Sequence, residues 1–68
     1  MKHFLFVERI SGEEFLVGAK TLEDAWVIAE DVARNIAEQW NTCADDYDLL
    51  YDSKLDDFEA EICGLDEY

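Results

Sequence analysis

TLEDAWVIAEDVARNIAEQW, residues 21–40, carries the period of a helix and not that of a strand. Leu22, Ala25, Trp26, Ala29, Val32, Ala33, Ile36 and Trp40 recur at three- and four-residue intervals and form one broad apolar stripe. Thr21 stands where its hydroxyl caps the first turn, and Glu23 and Asp24 suit the positive end of the helix dipole. Asp24 occupies the place that a capping box gives to Glu or Gln, so that motif is partial. Glu30 precedes Arg34 by four residues, the favourable order for a helical ion pair. The spacing predicts a helix over 22–40 with one face that needs a partner layer.

Toward the N-terminus, MKHFLFVERISGEEFLVGAK (residues 1–20) supplies that layer. Two runs rich in Phe, Val and Leu flank Ser11-Gly12, which reads as a two-residue turn because Gly tolerates positive φ. The resulting hairpin over 3–19 sets Arg9 opposite Glu14, Val7 opposite Leu16, Phe6 opposite Val17 and Phe4 opposite Ala19. Phe4, Phe6, Phe15 and Val17 then face the helix, and Leu5, Val7 and Leu16 fall on the other side. That second apolar face calls for cover from the C-terminal segment, or for a dimer or partner interface.

Toward the C-terminus, residues 43–64 admit two readings. As strands, Tyr47–Asp52 and Phe58–Cys63 make a second hairpin around 53–57, with Phe58, Ala60 and Ile62 inward and Glu59 and Glu61 outward. As a helix followed by a strand, Asp45 and Asp46 suit a first turn after Thr42, and Cys43, Tyr47, Leu50 and Tyr51 approximate helical spacing. The strand at 58–63 is common to both. The expected fold is one α+β domain over residues 1–68, a small antiparallel ββαββ sheet packed against one amphipathic helix.

Composition sets the function classes. With 68 residues the chain builds one small core, and 50% hydrophobic content separates it from a disordered acidic tail. It carries 18 acidic and 5 basic residues, a net charge of −13. Residues 1–40 hold eight acids and four bases, whereas residues 41–68 hold ten acids and one base. This field opposes direct binding to nucleic acid or to an anionic membrane, and favours basic surfaces. Cys43 and Cys63 read as free thiols of a reducing, cytoplasmic compartment. The apolar run after Met1-Lys2-His3 is four residues long with no small-residue cleavage site behind it, and no stretch reaches membrane-spanning length.

Catalytic chemistry finds little footing. His3, the one histidine, lies at the terminus, and neither Ser11 nor Ser53 has a candidate base nearby in sequence. Neither cysteine has a basic neighbour to lower its pKa. The glycines are isolated, so no phosphate-cradling loop forms, and no cofactor is expected. An EF-hand loop begun at Asp46 meets Leu50 and Tyr51 at its fifth and sixth positions, and one begun at Asp52 meets Lys54 at its third. The expectation is a protein that is not an enzyme and has no dedicated metal site.

The charge is the remaining signal, and it exceeds the net charge of about 2 to 8 that keeps a small domain soluble. Alternate residues on a strand, such as Glu59 and Glu61, sit roughly 6.6 Å apart on one face, comparable to successive phosphates of a nucleic-acid strand. With Asp45, Asp46, Asp48, Asp52, Asp56 and Asp57 in flanking turns, the surface would present an array of anions. Tyr51 would add an aromatic contact at the partner interface, with core packing as its alternative. Such a surface would occupy a basic groove built for DNA or RNA.

The order of a hairpin, a helix opening as in AKTLEDAWVIAEDVA, and an acidic segment as in FEAEICGLDEY resembles small phage and mobile-element proteins. Several small anti-CRISPR proteins are similar in size, acidity and α+β build. The resemblance implies inhibition of a host defence complex, in the host cytoplasm, by blocking the DNA- or guide-binding surface of a CRISPR effector or another nucleic-acid-binding protein. Two further readings use the same charge: an antitoxin or immunity protein covering a basic nuclease, and a divalent-cation-binding structural domain.

Overall fold

The computed structural model describes residues 2–39 and 47–68. Trp40, Cys43, Asp45 and Asp46, and with them the end of the expected helix and the start of the acidic segment, lie outside the described residues. The elements are β1 (Lys2–Glu8), β2 (Glu13–Ala19), α1 (Leu22–Gln39), β3 (Leu49–Leu55) and α2 (Asp57–Ile62). The three strands form an antiparallel sheet in the order β2-β1-β3. The α+β build, a small antiparallel sheet packed against one amphipathic helix, is the expected one.

α1 begins as its sequence dictates, with the Asp24 amide donating to Thr21 Oγ1 at 3.2 Å. Ala25, Ala29, Ala33 and Ala37 recur every fourth residue and are all buried. Small side chains on this ridge let the helix approach the sheet closely, while Val32, Ile36, Leu22 and Trp26 close its flanks. Phe6 is fully buried at the centre of the core, its ring 5.0 Å from Trp26 edge-on, 5.6 Å from Tyr51 and 6.0 Å from Phe15. Arg34 pairs with Asp31 at 3.4 Å, three residues before it, in place of the expected Glu30.

The hairpin differs from expectation in register. Phe4 lies opposite Val17, Phe6 opposite Phe15 and Val7 opposite Glu14, so the pairing closes on Glu8 and Glu13 around a four-residue turn. Glu8 is the reason. Its buried carboxylate accepts the Ser11 amide at 2.7 Å, the Ser11 hydroxyl at 2.8 Å and the Ile10 amide at 3.2 Å. The Gly12 amide donates to the Glu8 carbonyl at 2.9 Å, and Gly12 takes φ 77°, the left-handed conformation that glycine adopts most readily. The slide changes every partner yet spans an even number of residues, so no side chain changes face. Phe4, Phe6, Phe15 and Val17 all reach the core as expected.

The C-terminal third requires the larger correction. The segment read as a strand at 58–63 is helical, and the segment read as a turn at 53–57 belongs mostly to β3. Tyr47 and Asp48 precede β3 without regular structure, and Leu49–Asp52 are strand, not helix. The order is therefore ββαβα. Register between β1 and β3 shifts where Phe6 faces Tyr51 but Leu5 faces Ser53, which makes Asp52 the extra residue of a bulge. On a regular strand Leu49, Tyr51, Ser53 and Leu55 would share a face. The bulge sends Leu49 and Tyr51 to the α1 side and sets Ser53 and Leu55 opposite Leu5 and His3 on the other.

That second face of the sheet is covered in part from within the chain: Leu5 and Val7 are half-buried, and Leu50, opposite Val7, stays 48% exposed. Leu16 is buried there beneath the segment that follows α2. Its amide donates to the Asp66 carbonyl and its carbonyl accepts the Tyr68 amide, both at 2.8 Å. Gly18 donates to the Tyr68 carbonyl at 2.9 Å. Residues 66–68 thus run parallel to the outer edge of β2 and shield it. Among the described residues no helix is long and apolar enough to cross a membrane.

Candidate functional site

α2 is a helix because its first residues encode a start signal. Asp56 is the N-cap: its carboxylate accepts the Glu59 amide at 2.7 Å, and Glu59 Oε1 accepts the Asp56 amide at 3.4 Å. This reciprocal capping box satisfies backbone donors that the helix itself leaves open, and two acidic side chains in the first turn suit its dipole. Cys63 closes the last turn, its amide donating to the Glu59 carbonyl at 3.1 Å, and its exposed thiol is free.

His3 fixes this helix to the sheet. Its Nε2 lies 2.7 Å from Asp57 Oδ1, and its Nδ1 hydrogen-bonds Glu67 Oε2. One imidazole on β1 therefore joins the start of α2 to the segment that borders β2. The Glu67 hydrogen bond, and after it the Asp57 one, raise the His3 pKa above its ordinary 6.5, against the opposing effect of burial. Position alone made His3 look like a terminal residue; its carboxylate partners lie 54 and 64 residues away in sequence. An open cleft beside the ring is lined by Leu16, Ala60, Glu61 and Leu65 together with the two carboxylates.

The expected acidic array is only partly assembled. Asp45 and Asp46 lie outside the described residues. Asp48 is exposed and pairs with Arg9 across 3.6 Å. Asp52 is exposed at the bulge of β3. Asp56, Asp57, Glu59 and Glu61 are brought together on α2, but the first three have structural partners in the capping box and in His3. Glu59 and Glu61 sit two residues apart on a helix and so point away from each other, which removes the strand-like ladder of charges. Tyr51 is half-buried and packs against Phe4 and Phe6 at the edge of the core. Phe58 and Ile62, expected inward, are 68% and 66% exposed.

Charge nonetheless dominates the surface. Every described acidic residue except Glu8 is exposed, whether at the start of β2, on the outer side of α1, at β3 or around α2 and the segment after it. Among the described residues no group of three or more His, Cys, Asp or Glu side chains has the arrangement of a metal site. No protein-family model matches the chain, and no match was found among curated proteins or among solved structures.

Proposed function

We propose that this chain is a non-enzymatic inhibitor that binds the basic, nucleic-acid-binding surface of another protein, as a phage-encoded anti-CRISPR or other anti-defence protein would. The observation that carries the reading is the exposure of all described carboxylates but one on a chain with a net charge of −13 and a well-packed core. Long-range attraction from such a field speeds encounter with a basic groove and makes the complex sensitive to salt. Carboxylates distributed over β2, α1, β3 and α2 supply the charge, without a regular phosphate-like spacing.

The test is capture from bacterial lysate by the tagged chain, with and without excess double-stranded DNA or RNA. The expected result is recovery of a basic nucleic-acid-binding protein that competitor and salt both displace. The variant to compare is Asp52→Lys with Glu61→Lys, because neither side chain makes a hydrogen bond or ion pair among the described residues. Capture that survives both the competitor and this charge reversal would sink the reading.

A further inference from the structure

Phe58 and Ile62 stand one helical turn apart on α2 and are 68% and 66% exposed. No residue of α2 is buried. Ala60 is its one half-buried residue, and with the exposed Asp57 and Glu61 it lines the His3 cleft. A six-residue helix in isolation is marginal, and such a helix is ordinarily held by burying an apolar face. Here a capping box and the His3–Asp57 contact hold it, and its two largest apolar side chains are left out of the fold. The charged side chains on the helix and its cap, Asp56, Asp57, Glu59 and Glu61, are all acidic and outnumber the two lysines, Lys2 and Lys54, that line the cleft beside the first three.

We infer that Phe58 and Ile62 are the apolar anchor of this chain's interface, and that their partner is a protein with an apolar slot rimmed by lysine or arginine. The inference rests on the proposed binding to a basic surface and adds to it where the buried contact lies. Charge selects the occupant. A second copy would bring the same carboxylates face to face, and an anionic bilayer would be repelled as strongly. A basic rim instead neutralises the acids around the pair while the slot removes the phenyl ring and the isoleucine from water. Most binding energy at an interface comes from such a desolvated centre, with charges steering approach from the rim.

Two synthetic helices of equal length and lysine content serve as probes, one with a leucine stripe and one with glutamine in its place. Each is titrated into the isotope-labelled chain at about 0.15 M salt and followed by amide chemical shifts. The leucine helix is expected to bind about tenfold more tightly, with the largest shifts at residues 57–63. Phe58→Ser with Ile62→Ser should lower its affinity to that of the glutamine helix and leave the glutamine helix unaffected. Equal binding of both probes to the unaltered chain overturns the inference, and that comparison needs no variant. A preference that survives the double substitution overturns it too, as does a dimer in sedimentation that the double substitution abolishes. Loss of glutamine-helix binding with leucine-helix binding intact would count against the charge reading while sustaining the anchor.

Discussion

Glu8 shows how one buried carboxylate organises two connections at once. It accepts the Ile10 and Ser11 amides within the hairpin turn, and at 2.8 Å the Asp48 amide at the entry to β3. Glu8→Ala would strand those donors, and we expect a loss of about 2–3 kcal/mol in urea unfolding. Glu8→Gln should recover only part of it, because one acceptor becomes a donor. Burial pushes the Glu8 carboxyl up, but the hydrogen bonds from Asp48, Ser11 and Ile10 together hold it below its ordinary 4.5. Its contribution to stability is therefore complete above pH 4.5 and is lost as pH falls through the lower folded value. His3 has the opposite sign. With its pKa raised, its contribution is complete below pH 6.5 and fades as pH rises through the higher folded value. These two groups alone place the stability optimum between pH 4.5 and 6.5. The chain has one histidine, so its imidazole protons report the latch directly in an NMR titration. Asp57→Asn and Glu67→Gln should each lower the His3 pKa, Glu67→Gln by more. A titration left unchanged by both would show that the contacts do not form.

At the scale of elements, the local signals differ in how much they decide. α1 carries its period over 18 residues with a working Thr21 cap, and no competing reading survives that length. Phe58–Ile62 reads apolar–Glu–Ala–Glu–apolar, and five residues satisfy strand alternation and a single helical turn equally well. Asp56 and Glu59 break the tie, since the capping box has meaning only for a helix. Asp56→Ala should therefore destabilise α2 by about 1 kcal/mol, seen as faster amide exchange across 57–63 with α1 and the sheet nearly unchanged. Protection of α2 that stays at its original level would mean that the cap does not hold the helix. In the hairpin, Ser11-Gly12 marked the turn correctly, but Arg9 and Ile10 join that pair in the loop because the Glu8 carboxylate holds the Ile10 and Ser11 amides.

For the whole molecule, a net charge of −13 on a small core makes self-repulsion a global force. Sodium chloride should raise the melting temperature, by roughly 4–8 °C for each kcal/mol of repulsion screened. Calcium chloride at matched ionic strength should add nothing further, whereas a clear additional rise would favour the divalent-cation reading. The α+β class, the long amphipathic helix that begins at Leu22, the inward faces of the first hairpin and the imbalance of charge are all legible in the order of residues. Each is a property of period or composition, summed over many residues, and no distant partner is needed to express it. Tertiary structure alone decided the hairpin register, the bulge at Asp52, the joining of His3 to Asp57 and Glu67, and the exposure of Phe58 and Ile62. Those features turn on which groups meet across the sheet. A short segment with two nearly equal local preferences takes whichever conformation satisfies its polar groups against neighbours that the chain order does not reveal.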